Sequence, residues 1–289
     1  MHFVLRKYRE KTNEDDSVEG KESEEDFQSA LDETLETIKR AKGDKNIPFS
    51  VFKPTAFAHM ALLEKKNAGF ELNAKEKLEY DKFLDRIYKI CQAGHDNNVP
   101  IFIDAEHSWT QDVFDEVARE MMKSFNKERV IIYNTLQMYR TDRVAFMKDS
   151  IAHAKENNYK PGFKIVRGAY MEIERERAMK LNYRSPIQPD KQSADNDYNT
   201  ALKIALDNVD NVAFCCATHN EQSTLNLVEW MNEKNIPVNH PHIWFSQLYG
   251  MSDHISFNLA SKGYNVCKYV PYGPVNSVLP YLIRRAQEN

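Results

Sequence analysis

Seven short apolar runs, each closing on polar residues or glycine, set the strongest limit on what this chain can fold into. They are "IPFSVFK" (47–53), "VPIFIDAEH" (99–107), "RVIIYNTLQ" (129–137), "GFKIVRGAY" (162–170), "NVAFCCATHN" (211–220), "HIWFSQLYG" (242–250) and "NVCKYVPYG" (265–273). Their apolar residues are nearly continuous rather than alternating, the pattern of parallel strands covered on both faces. Helical patterns separate them. "SEEDFQSALDETLETIKRAK" opens on a cap residue, Ser23, and puts Phe27, Leu31, Leu35 and Ile38 on one stripe. "DRVAFMKDSIAHAKE" and "TLNLVEWMNEK" read the same way. Seven strands in an alternating β–α chain, with an eighth before the first helix, make a closed (β/α)8 barrel. The competing arrangement, a doubly wound open sheet, usually carries a glycine-rich turn after its first strand, and no GxGxxG occurs here.

Composition narrows the partners. The 289 residues suffice for one large domain or two small ones with a substantial core. A net charge of −4 argues against nucleic acid or an anionic membrane surface as the main partner. No apolar run reaches membrane-spanning length, so a soluble chain is expected. The start, "MHFVLRKYREK", runs at once into "TNEDDSVEGKESEED", without the apolar core or cleavage site of a secretory signal. Cys91, Cys215, Cys216 and Cys267 show no CxxC spacing and read as buried thiols of a reducing compartment.

In this architecture chemistry belongs at the C-terminal ends of the strands. Lys53 closes the first run, Asp104 and Glu106 the second, Gln137 the third. Lys164, Arg167 and Tyr170 line the fourth, and Thr218, His219 and Asn220 close the fifth. Gln247 and Tyr249 end the sixth, Tyr269 and Tyr272 the last. Any one of these is an ordinary edge residue; seven polar strand ends in succession point to a shared pocket. Metal is disfavoured, because the nine histidines do not pair with carboxylates at ligand spacing. Nucleophilic hydrolysis is disfavoured too, for want of a GxSxG elbow or a cysteine in a polar setting. Lys53 forming a Schiff base, as in lysine-dependent barrel aldolases or lyases, is a live alternative. The mix of amides, hydroxyls, aromatics and cations suits a large polar cofactor.

The chain ends on "YLIRRAQEN", where Arg284 and Glu288 are i,i+4 neighbours and Arg285 and Glu288 are i,i+3 neighbours on a helix. Such a triplet is either a solvated salt-bridge face or a site for a zwitterion, with guanidinium forks for a carboxylate and a carboxylate for an ammonium.

"IDAEHSWTQ", "TLQMYRTD", "KIVRGAYMEIER", "ATHNEQS", "QLYGM", "KYVPYG" and "YLIRRAQEN" occur in order and resemble the signature blocks of proline dehydrogenases. The resemblance runs from about Val18 to Asn289 and implies an FAD-dependent (β/α)8 barrel that oxidises L-proline to Δ1-pyrroline-5-carboxylate. It implies that Arg284 and Arg285, with Lys53, grip the proline carboxylate, and that Glu288 faces the ring nitrogen. Tyr269 then packs beside the substrate ring and favours proline over hydroxyproline, while Leu248 and Asp104 line the same pocket. For FAD it implies Gln137 near the flavin and Lys164 at its N1/O2 edge or the pyrophosphate. Val166, Arg167, Gly168, Ala169 and Tyr170 run along the cofactor, with Thr218, His219 and Asn220 near its adenine and ribose. A quinone-type electron acceptor is implied as partner. The implied location is the cytoplasm or the inner face of a bacterial membrane, held peripherally, with the mitochondrial matrix side as alternative.

Two features depart from that pattern. Met171 stands where the family most often has tryptophan. The stretch where an apolar first strand is expected, "REKTNEDDSVEG", is polar and acidic, and burying its charges unpaired costs several kcal/mol each. Either "HFVLRKY" supplies a shifted strand or the barrel closes imperfectly around an atypical polar one. Residues 1–22 are therefore set apart as a polar segment holding a doubtful strand, and 23–289 as the barrel domain with its C-terminal helix near the site. A barrel that has lost its flavin and only binds ligands is the remaining alternative.

Overall fold

The computed structural model describes residues 2–7, 23–272 and 283. Eight parallel strands close into a barrel in sequence order. They are β1 His2–Lys7, β2 Phe49–Phe52, β3 Ile101–Ile103 and β4 Ile132–Gln137. The second half is β5 Gly162–Val166, β6 Ala213–Ala217, β7 Ile243–Leu248 and β8 Val266–Tyr272. Closure comes from β1 lying parallel to β8, in register from His2 against Cys267 to Lys7 against Tyr272. The first stave is thus "HFVLRK", so the barrel begins inside the 1–22 segment. An imperfect closure is not needed.

Helices cover the outside. They are α1 Glu24–Ala41, α2 Met60–Asn67, α3 Ala74–Asn97, α4 Ser108–Phe125 and α5 Arg143–Glu156. After them come α6 Met171–Lys180, α7 Lys191–Asp207, α8 Glu221–Glu233 and α9 Asp253–Ser261. At the start of α1, Ser23 Oγ accepts from Asp26 N at 3.2 Å and Asp26 returns the bond to Ser23 N at 2.9 Å. This reciprocal cap satisfies two otherwise orphaned groups and contributes about 1 kcal/mol. The stripe read from the sequence faces the sheet: Phe27, Leu31 and Ile38 are buried, with Leu35 packed beside them.

Strands β2 to β8 send alternate side chains to two different cores. Ile101, Ile103 and Ile132 face the helices on one side of the barrel, and Leu136, Phe163, Ile165, Phe214, Phe245 and Val266 on the other. Phe49, Val51, Phe102, Tyr133, Ala213, Cys215, Leu248, Cys267 and Tyr269 form a separate core. Phe49 and Phe102 stack with centroids 4.3 Å apart, and Tyr133 and Trp244 meet Phe49 edge-on at 5.6 and 5.1 Å. This aromatic plug closes the barrel below its mouth, and truncating one such phenylalanine to alanine costs about 3–5 kcal/mol. All four cysteines are free and buried. Burial alone pushes the Cys91 thiol far up.

Candidate active site

Above the plug the alternation that delivers apolar side chains to the interior delivers polar ones. Lys164 lies on β5, and its Nζ donates to Asp104 Oδ1 at 2.6 Å, just beyond β3. Tyr269, on β8, donates its hydroxyl to Asp104 Oδ2 at 3.3 Å. The ammonium also lies 4.9 Å from the Tyr269 ring and 5.5 Å from the Phe102 ring. Asp104 and Lys164 are buried, as are Tyr269 and Leu248. A buried cation set between a carboxylate and two aromatic faces is costly to build and favours an anion beside it.

Across the mouth Lys53 follows β2. Its Nζ donates to Tyr170 Oη at 2.7 Å and lies 3.9 Å from Glu106 Oε2. Glu106 is itself fixed, accepting from Thr55 N at 3.0 Å and Thr55 Oγ1 at 2.8 Å. Gln137, at the end of β4, donates to the Glu106 carbonyl at 2.7 Å and so ties β4 to the loop after β3. Next to it, the buried Thr135 hydroxyl, in register with Lys164, has no hydrogen-bond partner among the described residues.

The turn after β5 carries the "RGAY" residues. The Val166 and Arg167 carbonyls accept from Met138 N at 2.8 Å and Tyr139 N at 2.7 Å, which extends the sheet pairing into the turn. Gly168 has φ +142°, and a Cβ there would meet Tyr139 at 2.5 Å, so only glycine fits. Ala169 and Tyr170 follow, half-buried. The Arg167 guanidinium donates to Asp195 Oδ1 at 2.6 Å, Thr218 Oγ1 at 2.7 Å and Ser223 Oγ at 2.9 Å, and stacks 4.3 Å from the Tyr198 ring. Burial raises the Asp195 carboxyl, but hydrogen bonds and charge from Lys191 and Arg167 outweigh it and hold it below its ordinary range.

Beyond β6, Thr218 Oγ1 also accepts from Asn220 N at 3.0 Å. Asn220 caps α8 by accepting from Ser223 N at 2.9 Å, and His219 Nδ1 lies 2.9 Å from Ser252 Oγ. Gln137, Lys164, Arg167 and Thr218–Asn220 thus form one polar ledge over the tops of β4, β5 and β6. It supplies amide, ammonium, guanidinium and hydroxyl groups and an orphaned hydroxyl. That donor set fits FAD, whose flavin carbonyls and phosphates accept hydrogen bonds.

Two sequence readings change with the structure. Gln247 is not in the mouth: it points outward from β7, donating to the Thr218 carbonyl at 3.2 Å and accepting from Ser256 Oγ at 2.7 Å. Tyr249 is largely exposed. The partners Asp195 and Ser223 were missed, because each looks like a solvent-facing helix residue and Asp195 already has an i,i+4 lysine. Arg284, Arg285 and Glu288 lie outside the described residues, as does the Tyr272 side chain.

A family model described as Proline dehydrogenase matches residues 4–289. The chain is 33% identical over 275 residues to the carbapenem antibiotics biosynthesis protein CarD of Pectobacterium carotovorum subsp. carotovorum, covering 95% of this chain and 71% of that one. To the mitochondrial proline dehydrogenase 1 of Dictyostelium discoideum it is 34% identical over 309 residues, covering 92% of this chain and 54% of the relative. Among solved structures, proline utilization A (PutA) from Bdellovibrio bacteriovorus superposes with a TM-score of 0.83 at 21% identity. That match covers all of this chain and 30% of the other. At that identity the likeness supports the barrel fold alone.

Proposed function

The chain belongs to the proline dehydrogenase family, and on that premise we propose that it oxidises L-proline to Δ1-pyrroline-5-carboxylate with FAD as cofactor. It spans about half the length of the Dictyostelium relative, so the activity is proposed for this barrel rather than carried over whole. The observation that carries the reading is the Lys164–Asp104–Tyr269 cluster above the aromatic plug, facing Lys53 and Tyr170 across the mouth.

When bound, FAD supplies the acceptor for the hydride that leaves C5 of the proline ring. The chain's own residues position and exclude water. Gln137, Arg167, Gly168 and Thr218–Asn220 would hold the cofactor along the ledge. Lys164, oriented by its hydrogen bond to Asp104, would offset negative charge on the flavin. Lys53, fixed by Tyr170 and Glu106, takes the substrate carboxylate together with Arg284 and Arg285. On the family's pattern Glu288 would meet the ring ammonium, and Leu248 and the Tyr269 ring would pack the pyrrolidine. Lys53 Nζ is engaged by Tyr170 Oη and lies 3.9 Å from Glu106 Oε2, and the family match does not favour the aldolase alternative.

A quinone is the proposed acceptor, reached at a membrane surface. No helix among the described residues is long and apolar enough to cross a membrane. The test is an absorption spectrum of the purified protein under anaerobic conditions, before and after L-proline. Bound flavin bleached by proline is expected. A protein folded by circular dichroism that takes up no FAD would sink the reading and favour a non-catalytic barrel.

A further inference from the structure

We propose that the cavity between the C-terminal end of α2, the start of α4 and α6 is the docking site of the electron acceptor, and that its occupant is a quinone. The inference rests on the flavin-dependent reading above and adds a place to it.

The cavity measures about 550 Å³ and is lined by Ala61, Glu64, Lys65, Phe70, Trp109 and Arg177, among others. That volume lies within the range of small-molecule sites, roughly 300–1,000 Å³. It sits on the same rim as the proposed active site, because Trp109 opens α4 just beyond β3 and Arg177 belongs to the helix after "RGAY". Three rings join the two places. Tyr170, which accepts from Lys53, has its ring centroid 4.3 Å from that of His107, and His107 stacks on Trp109 at 4.3 Å with the planes 4° apart. An unbroken aromatic run therefore leads from the substrate lysine to the cavity wall.

This run is held rigidly. Glu174, fully buried on α6, accepts from both Ser108 N and Ser108 Oγ at 2.6 Å, which fastens α6 to the first turn of α4 between His107 and Trp109. Arg177 lies 4.3 Å from the Trp109 ring and pairs with Glu64 at 3.1 Å. Lys65 gives two bonds of 2.7 Å to Glu76. Both cations of the cavity are thus already neutralised, which removes the attraction for a phosphate or carboxylate ligand. Each still has further N–H donors in its inventory. Aromatic and apolar walls with neutralised donors suit an uncharged planar ring bearing carbonyl acceptors. Phe70, 66% exposed at the cavity, gives such a ring an apolar approach from outside.

The electrons balance with that occupant. Each proline oxidised leaves two electrons on the cofactor; the quinone takes these and two protons and leaves as the quinol, restoring the oxidised cofactor.

The test uses the full chain loaded with FAD, with duroquinone as probe. Ala68 is exposed on the cavity wall, so Ala68→Trp fills the space without entering the core. Bleaching by proline should stay within about twofold of wild type, while reoxidation by duroquinone should slow at least tenfold and lose saturation. Reoxidation by ferricenium, which needs no pocket, should not change. Independently of turnover, duroquinone should quench tryptophan emission saturably, and Trp109→Phe should abolish the saturable part. Wild-type reoxidation in Ala68→Trp, or a linear quench identical in Trp109→Phe, would overturn the docking site and leave the proline reading intact. Failure of proline to bleach the wild-type protein would instead overturn that reading, with the quench still testing the cavity.

Discussion

Lys164 and Asp104 meet at 2.6 Å inside the barrel mouth, and Arg143 and Asp115 meet at 2.5 Å in the layer between sheet and helices. Both pairs are buried, and their immediate geometry is nearly the same. Their surroundings differ. Asp115 also accepts from Gln111 at 3.0 Å and Asn134 at 2.8 Å, and Arg143 goes on to Asp142, which in turn holds Arg140. The Arg143 guanidinium rests 4.6 Å from the Phe146 ring. In the mouth, by contrast, Asp104 is the one hydrogen-bond partner of Lys164 among the described residues, and the walls around it are aromatic. A buried charge enclosed in a complete network fixes helices to a sheet. One with spare hydrogen-bonding capacity beside an opening is available to a ligand.

Removing an outer partner should have the largest effect. Asp115→Ala leaves Arg143 buried against lost acceptors and should cost about 3–5 kcal/mol in urea unfolding; a loss under 1 kcal/mol would mean the network is decorative. The inner pair should respond in activity instead. Lys164→Met combined with Asp104→Leu should leave stability unchanged or slightly raised, because a desolvated pair gives way to apolar side chains. Bleaching by proline should slow on the order of 10²-fold. A double variant that unfolds like Asp115→Ala, or reacts like wild type, would erase the contrast between the two pairs.

Smaller effects sharpen it. Tyr269 contributes both its hydroxyl to Asp104 and a ring to the pocket, so Tyr269→Ser should narrow the preference for proline over trans-4-hydroxyproline by roughly 1–3 kcal/mol, chiefly by losing activity on proline. Specificity constants for both substrates check this, and an unchanged ratio would place Tyr269 outside the pocket. The smallest effect concerns Asp142. Burial raises its carboxyl, but hydrogen bonds and charges from Arg143 and Arg140 prevail and set it at about 2, below the ordinary 3.8. Because the folded value is the depressed one, its contribution is complete above about pH 4 and lost as pH falls toward about 2. With 46% of the side chain exposed, screening leaves about 1 kcal/mol. Asp142→Asn should flatten the acid limb of the stability–pH curve by that amount. Identical limbs would remove Asp142 from the network.

The sequence by itself determined the repeating unit and the positions of most staves. Seven of the eight strands fall inside runs that are nearly continuously apolar, and Ser23 marks the first turn of α1 because a hydroxyl there can satisfy an orphaned N–H. It also placed Lys53, Asp104, Lys164 and the "RGAY" turn at strand ends, where a barrel's open face must lie. Tertiary structure alone decided which way each strand residue points. Strands buried on both faces lose the alternation that would reveal parity, so Lys164 and Lys268 look alike in sequence. Lys164 faces the mouth, whereas Lys268 turns outward and holds the Met251 carbonyl at 2.7 Å and Asp253 at 2.7 Å. The same loss of parity hid Gln247. Closure was also a tertiary decision, since "HFVLRK" becomes a stave only where the edges of β2 and β8 offer unpaired backbone groups on both sides. Local pattern sets what a segment can be; which face it buries follows from the neighbours it must satisfy.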